Sequence, residues 1–121
     1  MRARWGVSLA LLVGCRADPF GPVGASARFA PPPIYRVWHA EVEACAGRAS
    51  NFNAITWWVA DSLGSPPGVS ETFGTWTPPH TIRLRREYLM EEWVVKHEML
   101  HDLLQTTDHP IPLFEVCDWA P

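Results

Sequence analysis

Apolar residues recur at Ile34, Val37, Trp38, Val42 and Cys45. This three-and-four spacing predicts a helix over Ile34–Ala46, with Gly47 as its stop. His39 and Glu41 fall off that stripe, which places His39 at the surface or the boundary. A β-branched and aromatic run at residues 54–60 predicts a strand. Residues 62–79 are rich in Gly, Pro, Ser and Thr and read as a long loop. Phe73 and Trp76 are its large anchors, with an irregular strand expected near 71–76. Residues 80–85 alternate, Ile82 and Leu84 facing one way and Thr81, Arg83 and Arg85 the other. That predicts a short strand at a sheet edge guarded by its arginines. Over residues 87–105, Leu89, Trp93, Val94, Val95, Met99, Leu100, Leu103 and Leu104 cover most of a helical circumference. Such a helix belongs in the middle of a domain. Glu87, Glu91 and Glu92 suit its start, and residues 106–110 break it. The order of elements predicts one small α+β domain.

The N-terminus reads as an export signal. Arg2 and Arg4 precede an apolar stretch at residues 5–13, too short to span a bilayer. Leu12-Val13-Gly14-Cys15 resembles the bacterial lipobox, whose cysteine is lipidated and becomes the mature N-terminus. The resemblance implies a signal peptide at 1–14, lipidation of Cys15 and a cell-envelope protein held to a membrane outside the cytoplasm. Residues 15–33, rich in Pro, Gly and Ala, read as a tether, closed by Pro31-Pro32-Pro33. The folded domain is then 34–121.

Charge and cysteines sharpen this picture. Ten Lys/Arg stand against thirteen Asp/Glu, a formal charge of −3. Without Arg2 and Arg4 the balance is eight against thirteen, or −5. No basic run appears, which argues against nucleic acid as partner. With Cys15 lipidated, Cys45 and Cys117 form an even pair in an oxidising compartment and predict a disulfide. The other use of Cys117, as a thiolate ligand, is weaker, because a histidine lies nearer to the candidate site.

That site is His97-Glu98-Met99-Leu100-His101, an H-E-x-x-H pattern. Histidines four apart share one helical face and can hold one Zn²⁺ from the same side. Glu98 follows the first and can act as general base in metal-assisted hydrolysis. Three protein ligands and an open position characterise catalytic zinc. His109 is the candidate third ligand, since Pro110 biases it toward extended backbone and lets the chain turn back across the helix end. Asp108 is its nearest competitor and Glu115 the next. Asp102 either orients a ligand imidazole or is a solvated helix residue. Tyr88, Tyr35, His39 and His80 have the chemistry to stabilise an oxyanion, and nothing in the sequence selects among them.

On His97, Glu98 and His101 the chain resembles a minimal zincin metallopeptidase. The resemblance implies a backing helix and a short twisted sheet packed on a buried active-site helix, with an edge strand that binds substrate in extended form. It also implies His97 and His101 as zinc ligands and Glu98 as base and proton shuttle. Leu104 and Thr107 occupy the glycine and third-histidine places of the metzincin pattern, and beyond Glu115 there is no room for the distant glutamate ligand of gluzincins. Asp108-His109-Pro110 followed by Phe114 is loosely similar to the SprT-like turn.

Two functions follow. One is a lipid-anchored, extracytoplasmic zinc peptidase, acting as a monomer on peptide or protein substrates. The other is a non-catalytic zinc-binding or interaction lipoprotein on the same scaffold. Glu98 speaks against the second, because a pure metal binder has no use for it.

Overall fold

The computed structural model describes residues 26–64 and 72–117. The expected signal peptide at 1–14, Cys15 and residues 16–25 lie outside them. The described chain is an α+β domain with a four-stranded mixed sheet in the order β1-β2-β4-β3. These strands are β1 (Ala27–Arg28), β2 (Thr56–Ala60), β3 (Gly74–Thr77) and β4 (Thr81–Arg85). The helices are α1 (Ile34–Ala46), α2 (Glu92–Leu104) and the single turn α3 (Leu113–Val116).

α1 has the expected bounds, and Gly47 ends it at φ 68°, a left-handed conformation that glycine adopts without steric cost. Its buried face is rotated from the expected one. Tyr35, Trp38, His39 and Val42 face inward while Val37 is 52 % exposed. The i, i+3, i+4, i+7 stripe therefore begins at Tyr35, and His39 is a core residue rather than a boundary one. Both polar groups on this face are satisfied. Tyr35 Oη donates to the Leu89 carbonyl at 2.6 Å. His39 lies 2.9 Å from Ser50 Oγ and 3.3 Å from Glu43 Oε1.

Three further expectations need correction. The tether supplies part of the domain: Ala27 and Arg28 pair antiparallel with Val59 and Trp58, and Phe29 enters the core. The Pro-rich composition concealed this because a two-residue strand carries no periodic signal. β4 is not an edge strand. It runs parallel to β2 and antiparallel to β3, so it sits between them. Alternation reports one half-exposed face and says nothing about the number of neighbours. Arg83 Nη1 donates to Thr77 Oγ1 at 3.1 Å on the neighbouring strand. Finally, the long helix begins at Glu92, not near 87; Arg86–Tyr88 form a separate 3₁₀ turn.

The core lies between the sheet and the helices. Tyr35 and Val42 from α1, Val59 from β2, Ile82 and Leu84 from β4, and Val95, Met99 and Leu100 from α2 are all fully buried. Lys96 ties the helices together. Its buried ammonium meets Glu41 of α1 and Glu92 Oε1, the latter at 2.6 Å. Burial disfavours that charge, but the two carboxylates outweigh it and raise the Lys96 pKa. Cys45 at the end of α1 is bridged to Cys117 after α3, as the cysteine pairing predicted.

Candidate metal centre

α2 presents His97 and His101 one turn apart, with their Nε2 atoms 3.2 Å from each other. Gln105 then takes a left-handed conformation at φ 53° and reverses the chain. Asp108 N–H donates to Thr106 Oγ1 at 3.1 Å and tightens the turn. This carries His109 back over the helix end, where its Nε2 lies 3.2 Å from that of His97. Ligand atoms of all three residues fall within 4.8 Å of one another. Among the described residues this is the group placed to hold a metal ion, and neither Asp108 nor Glu115 belongs to it.

The donor set fits zinc. Four ligands at the usual zinc–nitrogen distance around a tetrahedron stand roughly 3.3 Å apart, close to the two 3.2 Å separations. The tautomer also fits. His101 Nδ1 lies 2.8 Å from the Thr106 carbonyl, which can only accept. The ring proton therefore sits on Nδ1, leaving the Nε2 lone pair aimed at the shared point. Burial lowers the His101 pKa and so favours the neutral ring that ligation needs.

Phe114 holds the three rings in place. Its centroid lies 5.3 Å from His97, 4.8 Å from His101 and 4.8 Å from His109. The disulfide at Cys117 fixes the far end of this short helix.

Glu98 is 6 % exposed. Burial raises its carboxyl to a pKa of about 8. Together with the three histidines it lines a cavity of about 250 Å³, whose remaining wall includes Thr75, Trp76 and Thr107. Gly74 lies directly under its side chain. A second cavity, of about 180 Å³, opens on the other side of Glu98 between Phe73, Trp93 and Val94. The sequence offered no signal for Gly74 or for the aromatic wall, because both are set by strand-to-helix packing across twenty or more residues.

Asp102 does not orient a ligand imidazole; the Thr106 carbonyl does that. Its buried carboxylate instead accepts from Trp76 Nε1 at 2.9 Å and His80 Nδ1 at 2.9 Å. It thereby fastens β3 and the start of β4 to α2. Of the groups considered for an oxyanion, Tyr35 is committed to Leu89, His39 to Ser50 and Glu43, and His80 to Asp102. Tyr88 stacks on Phe73 at 4.3 Å between centroids. None of the four lines the cavity that holds the three histidines.

No protein-family model, curated protein or solved structure matches this chain.

Proposed function

We propose that the protein is a zinc-dependent peptidase of the cell envelope, anchored through lipid on Cys15. The observation that carries this reading is the convergence of His97, His101 and His109 on one point beside a buried glutamate. Bound there, zinc would supply Lewis acidity toward a carbonyl oxygen and toward water. Glu98 takes the proton of the attacking water on a carboxylate oxygen and returns it to the departing amine nitrogen. Its burial suits a group that must both hold and release a proton near neutrality. The neutral Nδ1–H tautomer of His101 keeps its Nε2 available for the metal. β3 pairs with β4 on one side, and its other edge runs past Glu98 toward the histidines. An extended peptide added along that edge would place its backbone over the site. The disulfide agrees with an oxidising compartment outside the cytoplasm.

A second reading, a zinc-binding lipoprotein without catalysis, draws support from one observation. None of the four candidate oxyanion groups lines the cavity beside the histidines. Glu98→Gln separates the two. Under the peptidase reading, hydrolysis of a denatured protein substrate disappears while one zinc per chain remains. Loss of zinc together with activity would make Glu98 structural and sink the catalytic role.

A further inference from the structure

The cavity between Phe73, Trp93 and Val94 has no part in holding the metal, yet it shares Gly74, His97 and Glu98 with the cavity that does. Its walls are unusual for a small domain. Phe73 and Trp93 line it, and Tyr88 stacks on Phe73, each of the three only half-buried. Half-exposed aromatics grouped around a concavity mark a place for an apolar partner. Gly74 keeps the floor open, since it projects no side chain into the space. The polar groups at the cavity are those of Glu98 and His97, confined to the end it shares with the candidate metal centre.

We propose that this cavity is a specificity pocket for one bulky uncharged side chain, of the leucine, methionine or phenylalanine class. That side chain would flank the bond placed at Glu98. The position of the bond rests on the peptidase reading; the chemistry of the pocket does not. Side chains of an extended peptide project alternately to either side. A peptide lying through the histidine cavity therefore directs one neighbouring side chain across Glu98 into the aromatic pocket. An acidic side chain finds no lysine or arginine among the described residues of the lining to pair with. A cationic one is disfavoured by the apolar walls. Phe73, Trp93 and Val94 give most of the wall no acceptor for its charge, and burial there strips its water. The volume of about 180 Å³ suits a single side chain and no larger ligand.

The test uses the N-acetyl amides of glycine, leucine, phenylalanine, lysine and glutamate with the protein as purified, followed by NMR. The reporter is the indole N–H signal that disappears in Trp93→Ala. The leucine and phenylalanine amides should shift it and bind about tenfold or more tightly than the glycine amide. Phe73→Ala should reduce that preference while the spectrum remains folded. Equal responses, no response, or the strongest response from the lysine amide would overturn the pocket. In parallel, the zinc-loaded protein is given a denatured protein substrate and the cleavage sites are mapped. Sites flanking bulky apolar residues support the inference, and cleavage without preference overturns it. Selective amide binding with no cleavage at all would remove the peptidase reading and leave the pocket standing.

Discussion

Gly74 and Glu98 touch so closely that the Glu98 carboxylate has its place only because residue 74 lacks a side chain. A Cβ on Gly74 would lie 3.0 Å from Glu98 Cγ and 3.2 Å from Oε1, and 3.1 Å from Leu84 Cδ2. Gly74→Ala must push the carboxylate aside, because Leu84 is fully buried and has little room to yield. Misplacing a catalytic group by about 1 Å costs on the order of 100-fold in rate. The shift needed here is a few tenths of an ångström, so the variant should keep its zinc, measured by elemental analysis, and lose hydrolysis by roughly 10-fold. Full activity in Gly74→Ala would show that Glu98 need not stay where it is.

His109 is the candidate ligand that local helix geometry does not supply. Losing an outer-shell partner already weakens metal binding about 10- to 100-fold. His109→Ala removes a direct donor, so zinc affinity should fall by at least about 100-fold, read by competition with a chromophoric chelator. Zinc held equally by both proteins would move the third ligand elsewhere.

Asp102 joins two donors from the sheet to α2, and Trp76 Nε1 is the one that water cannot easily reach, as Trp76 is 6 % exposed. Asp102→Ala leaves that N–H unsatisfied and should cost about 2–3 kcal/mol in urea unfolding. The larger consequence is positional, because β3 loses its tie to the helix. Thermal or urea midpoints unchanged from wild type would show that the pair contributes nothing net.

The stability of the domain should depend on pH through His39. Burial lowers its pKa below the ordinary 6.5, against the pull of Glu43. In the interval between the folded value and 6.5 the unfolded chain binds more protons. The contribution of His39 to stability therefore rises with pH across that interval and is lost as pH falls through it, while the raised Glu98 pKa acts in the opposite direction. His39→Gln should remove this contribution, so the difference in stability between the two proteins changes across the interval. Urea midpoints compared from about pH 5 to pH 7.5, with chelator in both samples, check it. A parallel curve for the variant would place the pH dependence in other groups.

The sequence made the candidate site more legible than the fold around it. His97, Glu98 and His101 stand out because their relation is local, fixed by one turn of helix. His109 was reachable because Pro110 and a helix break are also local signals. The α+β class followed from two periodic segments, and α1 had its bounds. What stayed hidden depended on partners distant in the chain. β4 alternates equally well at an edge or between neighbours, so its central place was invisible. The carboxylate of Asp102 found Trp76 and His80, more than twenty residues away, and left His101 to the Thr106 carbonyl. His39 was misplaced because a stripe started at Ile34 rather than Tyr35 rotates the whole face. A histidine with two hydrogen-bonding partners can sit inside where hydropathy alone would put it outside.

The disulfide has a consequence for the order in which this protein matures. The segment from Gln105 to Cys117 carries His109 and Phe114, and it is pinned at one end by α2 and at the other by Cys45. Cys45 and Cys117 are 72 residues apart, a closure that restricts the unfolded chain by about 4 kcal/mol in the chain-entropy model. Before oxidation, His109 belongs to a loose chain end, and a metal ion would have to order that end while binding. After oxidation the end is already confined, and the same ion meets three imidazoles held together. On the zinc reading, oxidation ahead of metallation leaves less of the chain for the ion to order. A chain kept reduced would compete poorly for scarce zinc, even with every ligand in its sequence intact.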